Sequence, residues 1–209
     1  MPRVSRKQTE LNRIEITQTA VRLLLARGLN GVSVNEVMKE AGLTHGGFYG
    51  HFESKEALAN AACGQAFEQS SVTWREIIAR HRKKKNARKA IVDHYLARAK
   101  RDDVDDTCPV VAFSADVAHE QESSEIHSVF TKGLQSLLDA YMSTFESADF
   151  PEGQSAIKQA ALVEYSLMVG AMTLARATGK TALSDEILKS ARAFLNAGSL
   201  HEAGSQDCS

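Results

Sequence analysis

Three cysteines, three prolines and one tryptophan are spread through 209 residues, and aromatic residues make up only 6% of the chain. Cys63, Cys108 and Cys208 are odd in number and far apart, which suits neither a disulfide framework nor the paired spacing of a zinc site, so they read as free thiols. With so few prolines and aromatics, the composition leans to an all-α fold. No run approaches the roughly 18 apolar residues needed to cross a bilayer, and the N-terminus is polar and basic without an apolar leader segment. A cytoplasmic chain with no membrane partner is the expectation. Catalytic constellations are missing as well. His119-Glu120 has no histidine at 123, there is no G-x-S-x-G and no phosphate-binding loop, and no strand precedes Gly46-Gly47 and Gly50 as a dinucleotide fold requires. Cys108 with His94 or His119 is the one nucleophile pair to weigh, and a free cysteine is more often a small core residue. We therefore expect no enzyme, no catalytic or metal-binding residue and no cofactor.

What is present is an ordinary soluble composition, 43% hydrophobic and 24% charged, long enough to bury a core. The net charge of −1 conceals an asymmetry. Residues 1–30 hold six cations, Arg3, Arg6, Lys7, Arg13, Arg22 and Arg27, against Glu10 and Glu15, a balance of +4. A basic edge on a mildly acidic chain fits a polyanionic partner met by one face, although an N-terminal basic run is as easily a solvated tail.

Apolar positions Ile16, Ala20, Leu23 and Leu24 recur at helical spacing from about Glu10, after a basic arm at residues 1–8, and Gly28 closes this first helix. Ser33-Val34-Asn35-Glu36 has the form of a capping box and starts a second helix that ends before Gly42. Thr44 and Ser54 are capping residues about two turns apart. Between them Phe48 and Phe52 share one helical face, while His45, Gly46, Tyr49 and Gly50 fall on the others. One face anchors and the other is presented. A glycine weakens a helix by about 1 kcal/mol relative to alanine, and the usual reason for tolerating several is close approach of another backbone.

The order T-x-G-x-F-Y-x-H-F-x-S-K-E-x-L, here Thr44, Gly46, Phe48, Tyr49, His51, Phe52, Ser54, Lys55, Glu56 and Leu58, closely resembles the DNA-binding signature of the tetracycline-repressor (TetR) family. The resemblance reaches back through Ile16, Ala20, Leu24, Gly28, Ser33, Val37, Ala41, Gly42 and Leu43, covering about a quarter of the chain. It implies a homodimeric transcriptional regulator of double-stranded DNA with a two-fold symmetric operator, most simply a repressor released by a small-molecule inducer. Ser33, Thr44, Tyr49, His51 and Lys55 then hold backbone phosphates, while His45, Gly46 and Gly47 face bases and Gly50 lets the helix lie deep. Family members often carry a larger residue at the position of Gly50, so the operator is not inferred.

Beyond this stretch a 26-residue helix from Lys55 to about Arg80 reads as a connecting rod ending in the basic run 80–85. Further helices are expected at 87–100, from Pro109 to His119, 122–146, 154–178 and, capped by Ser184, 185–197. The result is an all-α chain of about nine helices. A three-helix helix-turn-helix domain occupies residues 1–54, a larger ligand-binding and dimerisation domain 55–200, and a disordered tail 201–209. Residues 161–175 are apolar nearly all round, so the last two helices are expected to pair with a second copy through Leu167, Gly170, Ala171, Leu174, Ile187, Ala191 and Phe194. Phe67, Trp74, His94, Phe113, Met168 and Met172 are the candidate walls of an inducer pocket, which without a charged cluster suits a small apolar molecule. Two rivals remain. Cys108, before the helix-starting Pro109, could make the repressor a thiol-based sensor of oxidants or electrophiles, and the first three helices could instead bind protein.

Overall fold

The computed structural model describes residues 6–197. Among them the fold is all-helical: α1 (Arg6–Arg27), α2 (Val34–Glu40), a 3-10 helix η1 (His45–Gly50), α3 (Lys55–Ala79), α4 (Lys84–Tyr95), α5 (Arg98–Asp102), α6 (Pro109–Val117), α7 (Glu125–Met142), a second 3-10 turn η2 (Ser147–Asp149), α8 (Gln154–Ala177) and α9 (Ala182–Ala197). The described residues divide into two compact units, residues 6–69 with 104–134, and residues 70–103 with 135–197. Helices α3 and α7 each contribute to both.

In the first unit α1 buries Ile16, Ala20, Leu23 and Leu24, the residues whose spacing announced it. Gly28 at φ 79° ends the helix, its amide donating to the Leu24 carbonyl at 2.8 Å. The Leu29 amide then donates to the Asp116 carboxylate of α6 at 2.6 Å, so a side chain 87 residues on fixes the α1–α2 turn. Gly133 of α7 is needed for another close approach. A Cβ there would lie 2.2 Å from the Phe67 ring, which is buried and edge-on to Phe130.

In the second unit Trp74, Tyr95, Tyr141 and Tyr165 form a contiguous aromatic core, extended by Phe145 and Phe150. Buried Arg101 of α5 donates to Asp102, to Ser184 and to Asp185, and the Ser184 hydroxyl passes the chain on to the Ala175 carbonyl at 2.8 Å. This network ties α5 to the end of α8 and the start of α9.

Several expectations change. Arg6, Lys7 and Gln8 are helical rather than part of an arm, and Arg3, the tail 201–209 and Cys208 lie outside the described residues. The helix expected at 87–100 begins at Lys84 and breaks at Leu96 and Ala97, where burying Leu96 and Arg101 takes precedence over one straight axis. The helix expected at 122–146 is limited to Glu125–Met142. Ser184 is no cap: fully buried inside α9, it accepts and donates hydrogen bonds there, while the Thr181 hydroxyl accepts its amide.

Candidate nucleic-acid interface

The site is built from two helix starts and the turn between them. Ser33 caps α2 with both halves of the expected box: its hydroxyl accepts the Glu36 amide at 3.2 Å, and the Glu36 carboxylate accepts the Ser33 amide at 2.8 Å. That amide, with the Ser33 hydroxyl and Arg27 assisting, holds the Glu36 carboxyl below the usual carboxylate range. Arg27–Glu36 and Arg22–Glu40 ion pairs lash α2 to α1. Both are half-exposed, so solvent screens them and they contribute little to stability.

At the end of α2, Gly42 adopts φ 70° and the Leu43 amide donates to the Met38 carbonyl at 2.8 Å, which turns the chain into η1. The expected α-helix after Thr44 is a 3-10 helix, and Thr44 makes no side-chain cap. Six residues holding three glycines have too little propensity for a longer α-helical run, and tertiary anchors supply the order instead. Phe48 is fully buried, stacks on Phe52 at 6.0 Å and meets Tyr49 edge-on at 5.2 Å. Arg13 of α1, which the sequence shows only as one of the basic residues of the N-terminal edge, lies 4.4 Å above the Phe52 ring and donates to the His51 carbonyl. Its only signal in the sequence was a cation on a helix whose partner lay 38 residues away. Ser54 caps α3, accepting the Ala57 amide at 3.1 Å, and its hydroxyl lowers the Glu56 carboxyl.

The anchored face is thus Phe48 and Phe52, and the presented face is the remainder. Tyr49 is 71% exposed despite its size, and Thr44, His45, Gly46, Gly47 and Gly50 are exposed beside it. A Cβ on Gly46 or Gly50 would meet nothing within 4 Å, and one on Gly47 would make only ordinary contact with Thr44 and Met38. None of the three has a positive φ. Neither backbone conformation nor crowding inside the chain requires glycine at these positions. Ser33 and Lys55 line one narrow crevice, bringing the starts of α2 and α3 together. His51 is half-buried, with a buried Nδ1 that has no hydrogen-bond partner.

Residues 16–62, which span this whole arrangement, match the family described as bacterial regulatory proteins, tetR family. An uncharacterised HTH-type transcriptional regulator of Bacillus subtilis (strain 168), YerO, is 42% identical over 48 residues, 23% of this chain and 17% of that protein's own length. Residues 16–62 carry a DNA-binding segment of the TetR-family type. Members of this family are non-enzymatic DNA-binding transcription factors. The reduced form of NemR from E. coli has the same fold, with a TM-score of 0.73 and 24% identity over 88% of this chain and 94% of that one. FadR from Bacillus subtilis in complex with stearoyl-CoA shares it at a TM-score of 0.65 and 15% identity, covering 88% and 98%. Likeness at this level of identity establishes the fold alone.

Away from the head, the other predicted residues are scattered. Phe67 and Phe113 are buried in the first unit, whereas Trp74, Met168 and Met172 are buried and His94 half-buried in the second. A cavity of about 330 Å³ in the second unit is lined instead by Ser71, Arg75 and Ile78 of α3, by Ser136 and Ala140 of α7 and by Ser143 just after it. On α8 and α9, Gly170, Leu174 and Phe194 face outward, Leu167 and Ile187 are half-buried, and Ala171 and Ala191 are buried within the unit. The outward face also carries Leu162, Val163 and Leu183, which the sequence reading did not single out. Burial pushes the Cys63 thiol up to about 12, so it carries no thiolate. Cys108 stands half-buried before Pro109 at the start of α6. Among the described residues no three histidine, cysteine or acidic side chains gather to hold a metal, and no helix is long and apolar enough to cross a membrane.

Proposed function

We propose that the chain is a homodimeric repressor that binds a two-fold symmetric DNA operator and leaves it when a small molecule occupies its second domain. The observation that carries the DNA contact is the open triple-glycine turn. Gly46, Gly47 and Gly50 cost local stability, nothing inside the chain requires them, and they lie beside exposed Tyr49, the one aromatic hydrophobe of the turn left in solvent. A duplex backbone or groove floor is the close neighbour that supplies the reason. In this reading Thr44, Tyr49, His51 and Lys55 hold phosphates, with Ser33 keeping α2 in place through its cap, and His45, Gly46 and Gly47 lie against base edges. Residues 1–54 form the DNA-binding domain and residues 55–200 the ligand-binding and dimerisation domain. Exposed Leu162, Val163, Leu174 and Leu183, with Gly170 open to approach, support pairing of α8 and α9 with a second copy.

Coupling follows from geometry. A dimer must set its two heads about 34 Å apart to meet successive major grooves, so a ligand preferring another arrangement weakens DNA binding, and DNA weakens the ligand by the same factor. The test is retention of duplexes selected from random sequence, measured as a function of salt. Affinity should fall steeply with log salt through counterion release. No retained duplex at low salt would end the repressor reading and favour a protein-binding head. Release by small molecules that persists in Cys108→Ser would exclude the thiol as trigger, and release by oxidants that disappears in the same variant would establish it.

A further inference from the structure

Glu164 lies in the middle of α8, a position where a helix of this composition has every reason to place an apolar residue. It is 2% exposed, and its carboxylate accepts a hydrogen bond from the Tyr141 hydroxyl at 2.6 Å. That length is typical of O–H···O⁻ bonds. Burial and the neighbouring carboxylate push the Tyr141 hydroxyl far above its ordinary value, so the phenol remains the donor. A carboxylate has about four acceptor positions, and burying one costs several kcal/mol unless charge or further donors meet it. No described cation lies within ion-pairing distance of Glu164. Arg88, whose field reaches the Tyr141 hydroxyl, is seated 4.4 Å above the Phe145 ring instead. No metal-binding cluster includes Glu164 among the described residues.

The surroundings are aromatic. Trp74 lies 5.9 Å from the Tyr141 ring, 5.7 Å from Tyr165 and 6.2 Å from Tyr95, and Tyr95 and Tyr165 are themselves 6.3 Å apart. One helical turn along α8 from Glu164 lies Met168, fully buried and of adaptable shape. Four rings offer aromatic surface, and the neighbouring Glu164 carboxyl offers an acidic group that a bound cation would complement. Together these attract a desolvated organic cation, whereas a carboxylate ligand would be repelled and a neutral one would leave the acid uncompensated.

We infer that the second domain takes an organic ammonium cation, with Glu164 meeting the charge and Trp74, Tyr95, Tyr141 and Tyr165 enclosing its apolar part. The rings touch one another in the ligand-free chain, so entry requires one of them to swing aside. This assignment rests on the ligand-responsive reading above and replaces the neutral apolar inducer expected from sequence with a cationic one.

Trp74 is the one tryptophan in the chain, so its emission reports on this site directly. The experiment titrates the full-length protein with phenyltrimethylammonium and, separately, with its neutral isostere tert-butylbenzene, following Trp74 emission and thermal melting. The cation should perturb emission and raise the melting temperature, the isostere should bind at least about tenfold more weakly, and Glu164→Gln should abolish that preference. Gln can still accept the Tyr141 hydroxyl, so this variant keeps the local hydrogen bond. If Glu164→Gln does not fold, the comparison of the two probes on the unaltered protein decides alone. Equal binding of both probes, or no response to the cation at millimolar concentration, overturns the inference. Neutral compounds that bind and release DNA where the cation does neither would sink the cation site and leave the repressor reading standing. A cation that binds without affecting DNA affinity would keep the site and remove the induction.

Discussion

Replacing Gly46 and Gly50 together by alanine separates a glycine kept for function from one kept for folding. Both positions are exposed, have negative φ, and offer open space to a new Cβ. The native state therefore meets no strain, while the unfolded chain loses freedom, a gain of about 0.4–1 kcal/mol per site. For a domain of this size 1 kcal/mol moves the melting temperature by about 2–4 °C, so the double variant should melt about 2–8 °C higher. The same change should lower affinity for a selected duplex by at least about tenfold, or 1.4 kcal/mol, because each methyl holds the turn away from the DNA. Gly133→Ala is the contrast. Its Cβ would lie 2.2–2.7 Å from three atoms of the buried Phe67 ring, and it should destabilise by about 1–3 kcal/mol. Calorimetry and fluorescence anisotropy with a labelled duplex give the two readouts. A lower melting temperature for the double alanine variant, or an unchanged DNA affinity, would refute the reasoning.

Three further outcomes are expected. Gly170→Glu and Leu174→Glu place charge on the outward face of α8, where a paired copy would bury it, and should give monomer by light scattering; an undiminished dimer from both would move the interface elsewhere. Arg101→Ala removes the buried donor shared by Ser184, Asp102 and Asp185, leaving the carboxylates only exposed Lys180 and Arg98, and should cost about 2–4 kcal/mol in urea unfolding, with a change under 0.5 kcal/mol counting against the network. Hydrogen bonding lowers the carboxyls of Glu36, Glu56 and Asp102, through Ser33, Ser54 and Arg101 respectively, and Asp93 is lowered because bonds from Lys89 and Asn196 outweigh its burial. Groups depressed on folding contribute above their unfolded value of about 4 and lose that contribution as pH falls, so the urea midpoint should hold from pH 7 to about 5 and decline below about 4. A midpoint unchanged to pH 3 would contradict this.

The local signals were legible because each depends on neighbours in the chain. The Ser33–Glu36 box, the Gly28 and Gly42 turns, Pro109 at the start of α6 and the pairing of Phe48 with Phe52 are satisfied within a few residues, and all stand where the sequence put them. The presented turn was legible for the same reason, since three glycines between two anchoring phenylalanines are a local pattern. Spacing could not reveal partners that meet only after folding. Arg13 reaches His51 across 38 residues, Asp116 holds the Leu29 amide across 87, and Arg101 reaches Asp185 across 84. Tertiary packing also overrode propensity, turning the Thr44 helix into a 3-10 turn, breaking the chain at Leu96 and drawing Ser184 into the interior. Glu164 shows the limit most clearly. In an apolar helix a lone glutamate reads as a solvent-facing residue, because sequence records the acid but not the side of α8 it occupies. Only the assembled helices enclose it among Tyr141, Trp74 and Tyr165, and the cost of burying an acidic side chain there with a single hydroxyl partner makes it informative.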